Sequence, residues 1–185
     1  MATAPAVPRL TYDDLTFVRQ AREGDRHELF AGELVVTSSP VPAHQIVSDN
    51  IVHSLNVAIR PNRLGRVFAA PIDIKFTPTI VAVPDVVYIR WERLDIVGQK
   101  AIEGTPDLIV EILSPSTRRR DLGTKRALYE RFGVPEYWIV DPRARRVTVH
   151  VLRGDQYEPL SETGTVRSTV LPELAIQVEE LFAGV

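Results

Sequence analysis

The sequence predicts a mixed α/β fold, and three observations carry that prediction. Apolar residues recur at helical spacing from Ala43 to Ile59, which indicates an amphipathic helix. The segment from Asp107 to Leu113 is nearly all apolar, as is typical of a central strand covered on both faces. A helical segment and a further strand, Tyr137 to Asp141, follow it, so we expect a strand-helix-strand crossover with parallel strands. With 185 residues, 44% of them hydrophobic, we expect a single domain over 1–185 whose first ten residues are disordered.

The N-terminal part is predicted to form a helix and a hairpin before the amphipathic helix. Thr11 is followed by two acidic residues that suit the start of a helix, which we expect to run to about Arg22. His27 to Phe30 and Glu33 to Thr37 flank Ala31-Gly32, where the glycine permits the tight turn of a hairpin.

Strands dominate the rest of the chain. Three segments rich in Val, Ile and aromatic residues are predicted to form an antiparallel meander: Val67 to Phe76, Val81 to Trp91 and Asp107 to Leu113. The crossover helix is predicted from Arg119 to Phe132, with Gly133 as its stop. Arg146 to Leu152 is a further predicted strand, and Val178 to Phe182 is a short terminal helix.

Composition excludes several classes of protein. The chain has no cysteine, which excludes disulfides, thiolate zinc sites and a cysteine nucleophile, and which suits a reducing compartment. His44 and His53 would lie about 180° apart on a helix, so we predict no zinc site there. The start has no signal-peptide pattern and no stretch has the roughly 20 apolar residues of a membrane span, so we expect a cytoplasmic protein with no membrane partner.

Charge is divided unevenly along the chain. The formal net charge is −2, yet the segment from Ser116 to Arg153 carries ten basic and four acidic residues. Such a segment suits contact with the phosphate backbone of a nucleic acid, and it specifies no base sequence.

Two carboxylates are predicted to meet where neighbouring strands pair. If the strands that contain Asp85 and Glu111 run antiparallel, the start of the first faces the end of the second. Asp107 lies about 13 Å from Glu111 along one strand, so we expect it to cap or begin that strand instead. Two carboxylates about 4 Å apart repel by roughly 4 kcal/mol at an effective dielectric of about 20, which favours a hard cation between them. Mg²⁺ suits such a pair together with water and a substrate phosphate, and Mn²⁺ can replace it.

Lys125 is the predicted cation of this site. It lies about 9 Å along a helix that starts near Arg119, just beyond the strand that carries Glu111, so its long side chain can reach the carboxylates. Asp121, Lys125 and Tyr129 share one helix face at i, i+4 and i+8, so Asp121 could orient the lysine and Tyr129 could contact substrate. A metal ion with an ammonium beside it suits hydrolysis of a phosphodiester.

Several segments resemble a known protein family. They are Pro106 to Thr117, Arg120-Asp121, Lys125, Tyr129, Gly133 to Pro142, His27 to Val35 and Pro84 to Val87. Together these segments resemble the Uma-two family of restriction endonucleases over roughly Tyr12 to Phe182, and that family is similar to the PD-(D/E)XK nucleases. The resemblance implies a restriction-endonuclease-like core and metal-dependent cleavage of DNA, with Asp85 and Glu111 as metal ligands.

One position departs from the superfamily pattern. That pattern places a lysine two residues after the second acid, and Leu113 occupies the position here. The resemblance implies that Lys125 on the crossover helix supplies the missing charge. Two alternatives stay open: a catalytically silent member of the fold that binds nucleic acid or regulates a partner, and a dimeric interaction protein with a buried acidic pair.

Each candidate residue also has a purely structural interpretation. Asp73 and Glu28 could add acids to the site, but both could be exposed strand positions, which is the interpretation we adopt for Glu28. Asp85 could bind turn amides at the start of a strand. Glu111 could form a buried ion pair, and Lys125 could pair with a helix neighbour in solvent.

Three consecutive arginines predict that the partner of the protein is DNA. Arg118, Arg119 and Arg120 are expected to contact a DNA backbone, although such a run also suits a solvated helix face. A homodimer would bring two active sites to the two strands of a duplex.

Overall fold

The architecture of the chain is defined by a computed structural model that describes residues 9–21, 25–37, 39–162 and 164–185. Residues 1–8 of the segment expected to be disordered lie outside the described residues. The helices are α1 Tyr12–Ala21, α2 Pro42–Ile59, α3 Arg118–Arg120, α4 Arg126–Arg131 and α5 Val178–Leu181. The strands are β1 Arg26–Phe30, β2 Glu33–Thr37, β3 Gly65–Ala69, β4 Ile74–Thr77, β5 Ile80–Ala82, β6 Val86–Arg90, β7 Leu108–Ile112, β8 Glu136–Asp141, β9 Arg146–Arg153, β10 Gln156–Glu162, β11 Thr165–Arg167 and β12 Ala175–Gln177.

A mixed sheet of six strands and a smaller sheet of four strands form the frame. The large sheet has the order β10-β9-β8-β7-β6-β3, and the small sheet has the order β2-β1-β5-β4. β7 and β8 run parallel, whereas the other neighbours in the large sheet run antiparallel. This topology confirms the predicted mixed fold, in which antiparallel strands lead into a strand-helix-strand crossover.

Both faces of the large sheet are covered, because side chains alternate between its faces. Val86 and Val110 belong to the core on one side, together with the buried face of α2 and the C-terminal segment. Val87 and Ile109 belong to the core on the other side, together with Tyr129 of α4. Full burial of one such aliphatic side chain contributes about 1.5–3 kcal/mol, so the two layers hold the sheet rigidly. Among the described residues, no helix is long and apolar enough to span a bilayer.

Two of the predicted strands are each divided in two. The segment predicted from Val67 to Phe76 forms β3 and β4, and the segment predicted from Val81 to Trp91 forms β5 and β6. Pro71 and Pro84 lie at these breaks, and a proline has no N–H to donate to a neighbouring strand. The predicted continuity was therefore wrong. β4 and β5 leave the large sheet, and β5 pairs with β1 directly before Asp85.

Three strands near the C-terminus were not predicted. β10 is an edge strand of the large sheet, and β11 pairs with β12 in a separate ribbon. β10 contains Pro159 and several polar residues, which edge strands tolerate because one side meets solvent. Its sequence therefore lacks the apolar pattern that identified the central strands.

The crossover helix, 118–131, is continuous but is not α-helical throughout. A π-helical turn, Asp121–Lys125, separates α3 from α4. Gly133 follows with φ +71°, a conformation that favours glycine and that ends the helix as predicted. π-Helical turns are frequent at functional sites, and both ends of this one, Asp121 and Lys125, are buried.

Candidate active site

Asp85 and Glu111 lie opposite each other on neighbouring strands. β6 and β7 pair antiparallel with Val86 facing Val110, so Asp85, one residue before β6, faces Glu111. Both side chains are buried. The backbone N–H of Ile112 donates to Oδ2 of Asp85 at 2.7 Å, which fixes this carboxylate against β7. The two acids therefore meet where the strand pairing predicted, while their role as metal ligands stays a prediction.

Lys125 is buried between carboxylates from three elements. Its Nζ lies 2.8 Å from Oε1 of Glu111, 2.9 Å from Oε1 of Glu28 and 4.0 Å from Oδ1 of Asp121. Burial alone would lower the pKa of Lys125, but the charges of these carboxylates outweigh burial and raise the pKa above its usual value. Lys125 therefore carries its charge at neutral pH, and its predicted alternative in solvent is wrong.

Glu28 is buried in the same cluster, contrary to the exposed position that we adopted for it. Its Oε1 accepts a hydrogen bond from the backbone N–H of Val83 at 2.8 Å, and its Oε2 lies 3.4 Å from Nη1 of Arg120. The expectation failed because β5 separates from β6 and pairs with β1, which covers this part of the hairpin.

Tyr129 holds Glu111 and does not face solvent. Its hydroxyl donates to Oε1 of Glu111 at 2.7 Å, and the residue is fully buried. The predicted contact of Tyr129 with substrate is therefore replaced by a positioning contact. The acceptor is the same oxygen that Lys125 contacts, so two donors orient one side of the Glu111 carboxylate.

Asp121 is a buried carboxylate that is poorly compensated. Neither of its oxygens has a hydrogen-bond partner among the described residues. Burial raises the pKa of Asp121, Lys125 and the side chain of Thr117 oppose the rise, and nearby carboxylates add to it. Burial likewise raises the pKa of Glu111 well above its usual value, against the effect of Lys125 and with the help of Asp121, Asp85 and Glu28. The cluster is thus short of positive charge.

Arg26 and His44 complete the site, and neither was predicted to belong to it. Nη1 of Arg26 donates to Oδ1 of Asp85 at 2.5 Å, and Nε2 of His44 lies 3.1 Å from Oδ2. Burial disfavours the ionised form of Asp85, but the hydrogen bond and charge of His44, with the charge of Arg26, outweigh burial and lower the pKa of Asp85. A signal for His44 exists, since it shares the buried stripe of α2 with Val47 and Ile51. No local signal identifies Arg26.

Asp73 does not contact this cluster. Its carboxylate accepts hydrogen bonds from Arg19 at 2.6 and 2.8 Å and from the hydroxyl of Tyr12 at 3.0 Å. Because it is buried, its alternative as an exposed strand position is also wrong. Asp73 instead ties α1 to the start of β4.

The three consecutive arginines have different surroundings. Arg118 pairs with Asp141 at 2.7 Å, although nearly half of its side chain, 48%, is exposed. Arg120 points into the cluster, towards Glu28, and 23% of its side chain is exposed, so it is less accessible to a DNA backbone than Arg118. Arg119 is exposed and forms no side-chain hydrogen bond or ion pair among the described residues. Arg118 and Arg119 are therefore better placed than Arg120 to meet a polyanion.

The donor set of the cluster suits a small hard cation. Four carboxylates, on Asp85, Glu111, Glu28 and Asp121, are accompanied by three lysine or arginine side chains, on Lys125, Arg26 and Arg120. A cavity lined by three of these carboxylates, on Asp85, Glu111 and Glu28, measures about 20 Å³, room for about one water molecule or ion. In the described part of the chain, no group of three or more His, Asp or Glu side chains is arranged to hold a metal ion. An ion held by one or two carboxylates and completed by water and substrate oxygens matches the habit of Mg²⁺.

Comparisons with known proteins identify the fold and the family of the chain. A crystal structure described as "a putative nuclease belonging to DUF820", from Anabaena variabilis, is 22% identical and covers 94% of this chain and 98% of its own. Its TM-score of 0.76 confirms the predicted fold. A search of curated proteins found no match. The family model described as "Uma2: Putative restriction endonuclease" matches residues 11–179. With nearly the whole chain matched, the protein belongs to the Uma2 family.

Proposed function

We propose that this protein is a magnesium-dependent endonuclease that hydrolyses phosphodiester bonds of DNA. The observation that carries the proposal is the contact of Glu111 with Lys125 beside Asp85, at one end of a strand pair. An acidic pair with one buried ammonium supplies what phosphodiester hydrolysis needs. The description of the family and the exposed arginines of the crossover helix support a nucleic-acid substrate.

The roles of the residues follow from their contacts. Asp85 and Glu111 would hold the ion, for which Mn²⁺ could substitute. A bound Mg²⁺ supplies Lewis acidity towards the phosphate and lowers the pKa of a coordinated water. Lys125 keeps its charge, so it can stabilise the negative charge that develops on the phosphoryl oxygens or position the attacking water. Tyr129 orients Glu111 through its hydrogen bond, and Asp121 lies where it can orient Lys125.

Lys125 can supply the charge that the superfamily takes from the position of Leu113. Leu113 is a buried member of the core on this face of the sheet, and it brings no charge. The crossover helix instead delivers an ammonium to the same carboxylate, Glu111, at 2.8 Å. This contact supports a catalytic site that has kept its charges while moving one of them to another element.

A nucleic-acid-binding protein without cleavage is the second candidate. It is favoured by the contacts of Asp85, whose two oxygens are already engaged by Arg26, His44 and the N–H of Ile112. A metal ion would have to displace or share these donors.

A cleavage assay separates the candidates. Plasmid DNA and synthetic single-stranded, duplex and branched DNA are incubated with protein over a titration of Mg²⁺. We expect cleavage that EDTA removes and that Glu111→Ala abolishes. Asp107→Asn is the matched control, because Asp107 flanks the same strand and is buried with an ion pair of its own. If nothing is cut with Mg²⁺ or Mn²⁺ while salt-sensitive DNA binding persists, the second candidate is correct; if binding is absent even at low salt, both fail.

A further inference from the structure

A second cavity lies beside the proposed active site and differs from it in size. It measures about 300 Å³ and opens to solvent, at the turns that follow β7 and β8. Its lining includes Leu113, Ser114, Pro115, Arg118, Asp141 and Arg143. β7 and β8 are parallel neighbours, and ligands of α/β proteins bind at the carboxyl ends of parallel strands.

One short loop separates the two cavities. Ile112 and Thr117 line the small cavity of the carboxylate cluster, whereas Ser114 and Arg118 line the large one. The hydroxyls of Ser114 and Thr117 lie 2.9 Å apart, so this loop is braced across its width. A group bound in the large cavity would therefore be a close neighbour of a phosphate bound at Glu111.

The charge that remains in the large cavity is positive. Oδ2 of Asp141 accepts from Nη1 of Arg118 at 2.7 Å, and its Oδ1 accepts from the backbone N–H groups of Arg143 and Ala144 at 3.1 and 3.2 Å. The one carboxylate of the lining is thus fully compensated. Arg143 is exposed, its side chain forms no hydrogen bond or ion pair with another side chain among the described residues, and about half of the Arg118 side chain is exposed. This lining favours an anion, which two guanidinium groups can bind through several N–H donors.

The rest of the lining is apolar and calls for more than a phosphate ion. Leu113, Pro115 and Ala144 provide this surface, and a volume near 300 Å³ is at the small end of ligand pockets. From this arrangement we infer that the cavity binds one nucleotide of the substrate strand, next to the bond that is cleaved. Arg118 and Arg143 bind its phosphate, and the apolar wall contacts its sugar and base. The position beside the cleaved bond rests on the proposed nuclease function, whereas nucleotide binding does not.

Amide NMR spectra of the full chain test nucleotide binding without cleavage. The protein is titrated with dTMP, thymidine and inorganic phosphate. We expect dTMP to bind most tightly and to shift the amide signals of Ser114, Arg143 and Ala144. Arg143→Ala should weaken dTMP binding by about tenfold, the scale of one charge-assisted hydrogen bond. Arg66→Ala is the matched control, because Arg66 is an exposed arginine on β3, at the far side of the large sheet, and should change nothing.

The inference is overturned if dTMP shifts none of these signals, or if Arg143→Ala binds dTMP as the wild type does. It is also overturned if inorganic phosphate binds as tightly as dTMP, since the cavity would then be an anion site only. Cleavage of DNA with no dTMP binding would remove this inference and leave the proposed function intact.

Cleavage of modified DNA tests whether the cavity binds a nucleotide of the substrate strand or only a free nucleotide. A neutral methylphosphonate is placed at each linkage in turn around the cleaved bond of a duplex. We expect one flanking linkage at which the change slows cleavage by about tenfold in the wild type and in Arg66→Ala, but not in Arg143→Ala. If dTMP binds but no linkage behaves in this way, the cavity serves free nucleotides and the flanking position is wrong. If dTMP binds and no DNA is cut, the proposed function fails together with the flanking position.

Discussion

Asp107 and Glu111 lie at the two ends of β7, both buried, and have opposite electrostatic surroundings. Oδ1 of Asp107 lies 2.7 Å from Nε of Arg90 and 3.0 Å from Nη1 of Arg93, and both arginines reach solvent. Its Oδ2 accepts from the backbone N–H of Arg90 at 3.0 Å. Glu111 has one cation, Lys125, which it shares with two other acids.

The contrast shows that burial of an acid does not by itself indicate a functional site. At Asp107, two arginines compensate one carboxylate, which is the arrangement of a structural ion pair. In the cluster of Glu111, the carboxylates outnumber the lysine and arginine side chains, and burial raises the pKa of Glu111 and of Asp121. A protein tolerates such an imbalance where a ligand corrects it, so the cluster is the better candidate for chemistry.

Removal of the Lys125 charge should change cleavage more than the other substitutions change stability. Lys125→Met alone leaves buried carboxylates without their cation and should lower the free energy of unfolding by about 3–5 kcal/mol. The double variant Lys125→Met with Glu28→Gln removes one charge of each sign and should fold. We expect it to cleave about a hundredfold more slowly than the wild type, measured on plasmid DNA in Mg²⁺, because the ammonium at the phosphate is gone.

Glu28→Gln alone is the control for that double variant. It keeps Lys125 beside Glu111 and should lose far less activity than the double variant. A double variant that is folded by circular dichroism and as active as Glu28→Gln would remove Lys125 from the mechanism.

The next prediction concerns the free energy of unfolding. Substitutions of the acids at the two ends of β7 should change it in opposite directions. In metal-free buffer at pH 8, Asp107→Asn should lower the free energy of unfolding by about 1–3 kcal/mol, because the charged hydrogen bond with Arg93 and the ion pair with Arg90 are weakened. Glu111→Gln should raise it, because the raised pKa of Glu111 means that the fold disfavours its ionised form. Urea unfolding of both variants measures the two changes. A loss of stability in both variants would show that Glu111 forms an ordinary structural ion pair with Lys125.

The smallest effect is a pH dependence at Asp121. Because its pKa is raised, the folded state holds this proton more tightly than the unfolded chain, where Asp ionises near pH 3.9. Its contribution to stability is therefore complete below about pH 4 and is lost as pH rises through the raised pKa. In EDTA, Asp121→Asn should be more stable than the wild type by about 1 kcal/mol at pH 8 and nearly equal to it at pH 3.5. Equal gains at both pH values in thermal unfolding would contradict the charge imbalance.

The sequence was sufficient for the parts of the site that depend on local spacing. The antiparallel pairing set Asp85 opposite Glu111, and the helical rise brought Lys125 within reach of Glu111. The positions of Glu28 and Arg26 could not be predicted in this way. They depend on β5 leaving the large sheet at Pro84 and pairing with the distant hairpin, a contact that neither segment shows alone.

We expect one end of β7, at Glu111, to bind a divalent cation and the other end, at Asp107, not to bind one. Binding of Mn²⁺, followed by the EPR signal of the free ion and competed with Mg²⁺, tests it without reference to cleavage. We expect the wild type and Asp107→Asn to bind one ion that Mg²⁺ displaces, and Glu111→Gln to lose it. The proposed cation site at Glu111 would be contradicted if Glu111→Gln bound Mn²⁺ as the wild type does. It would also be contradicted if the folded wild type bound no Mn²⁺ with or without duplex DNA.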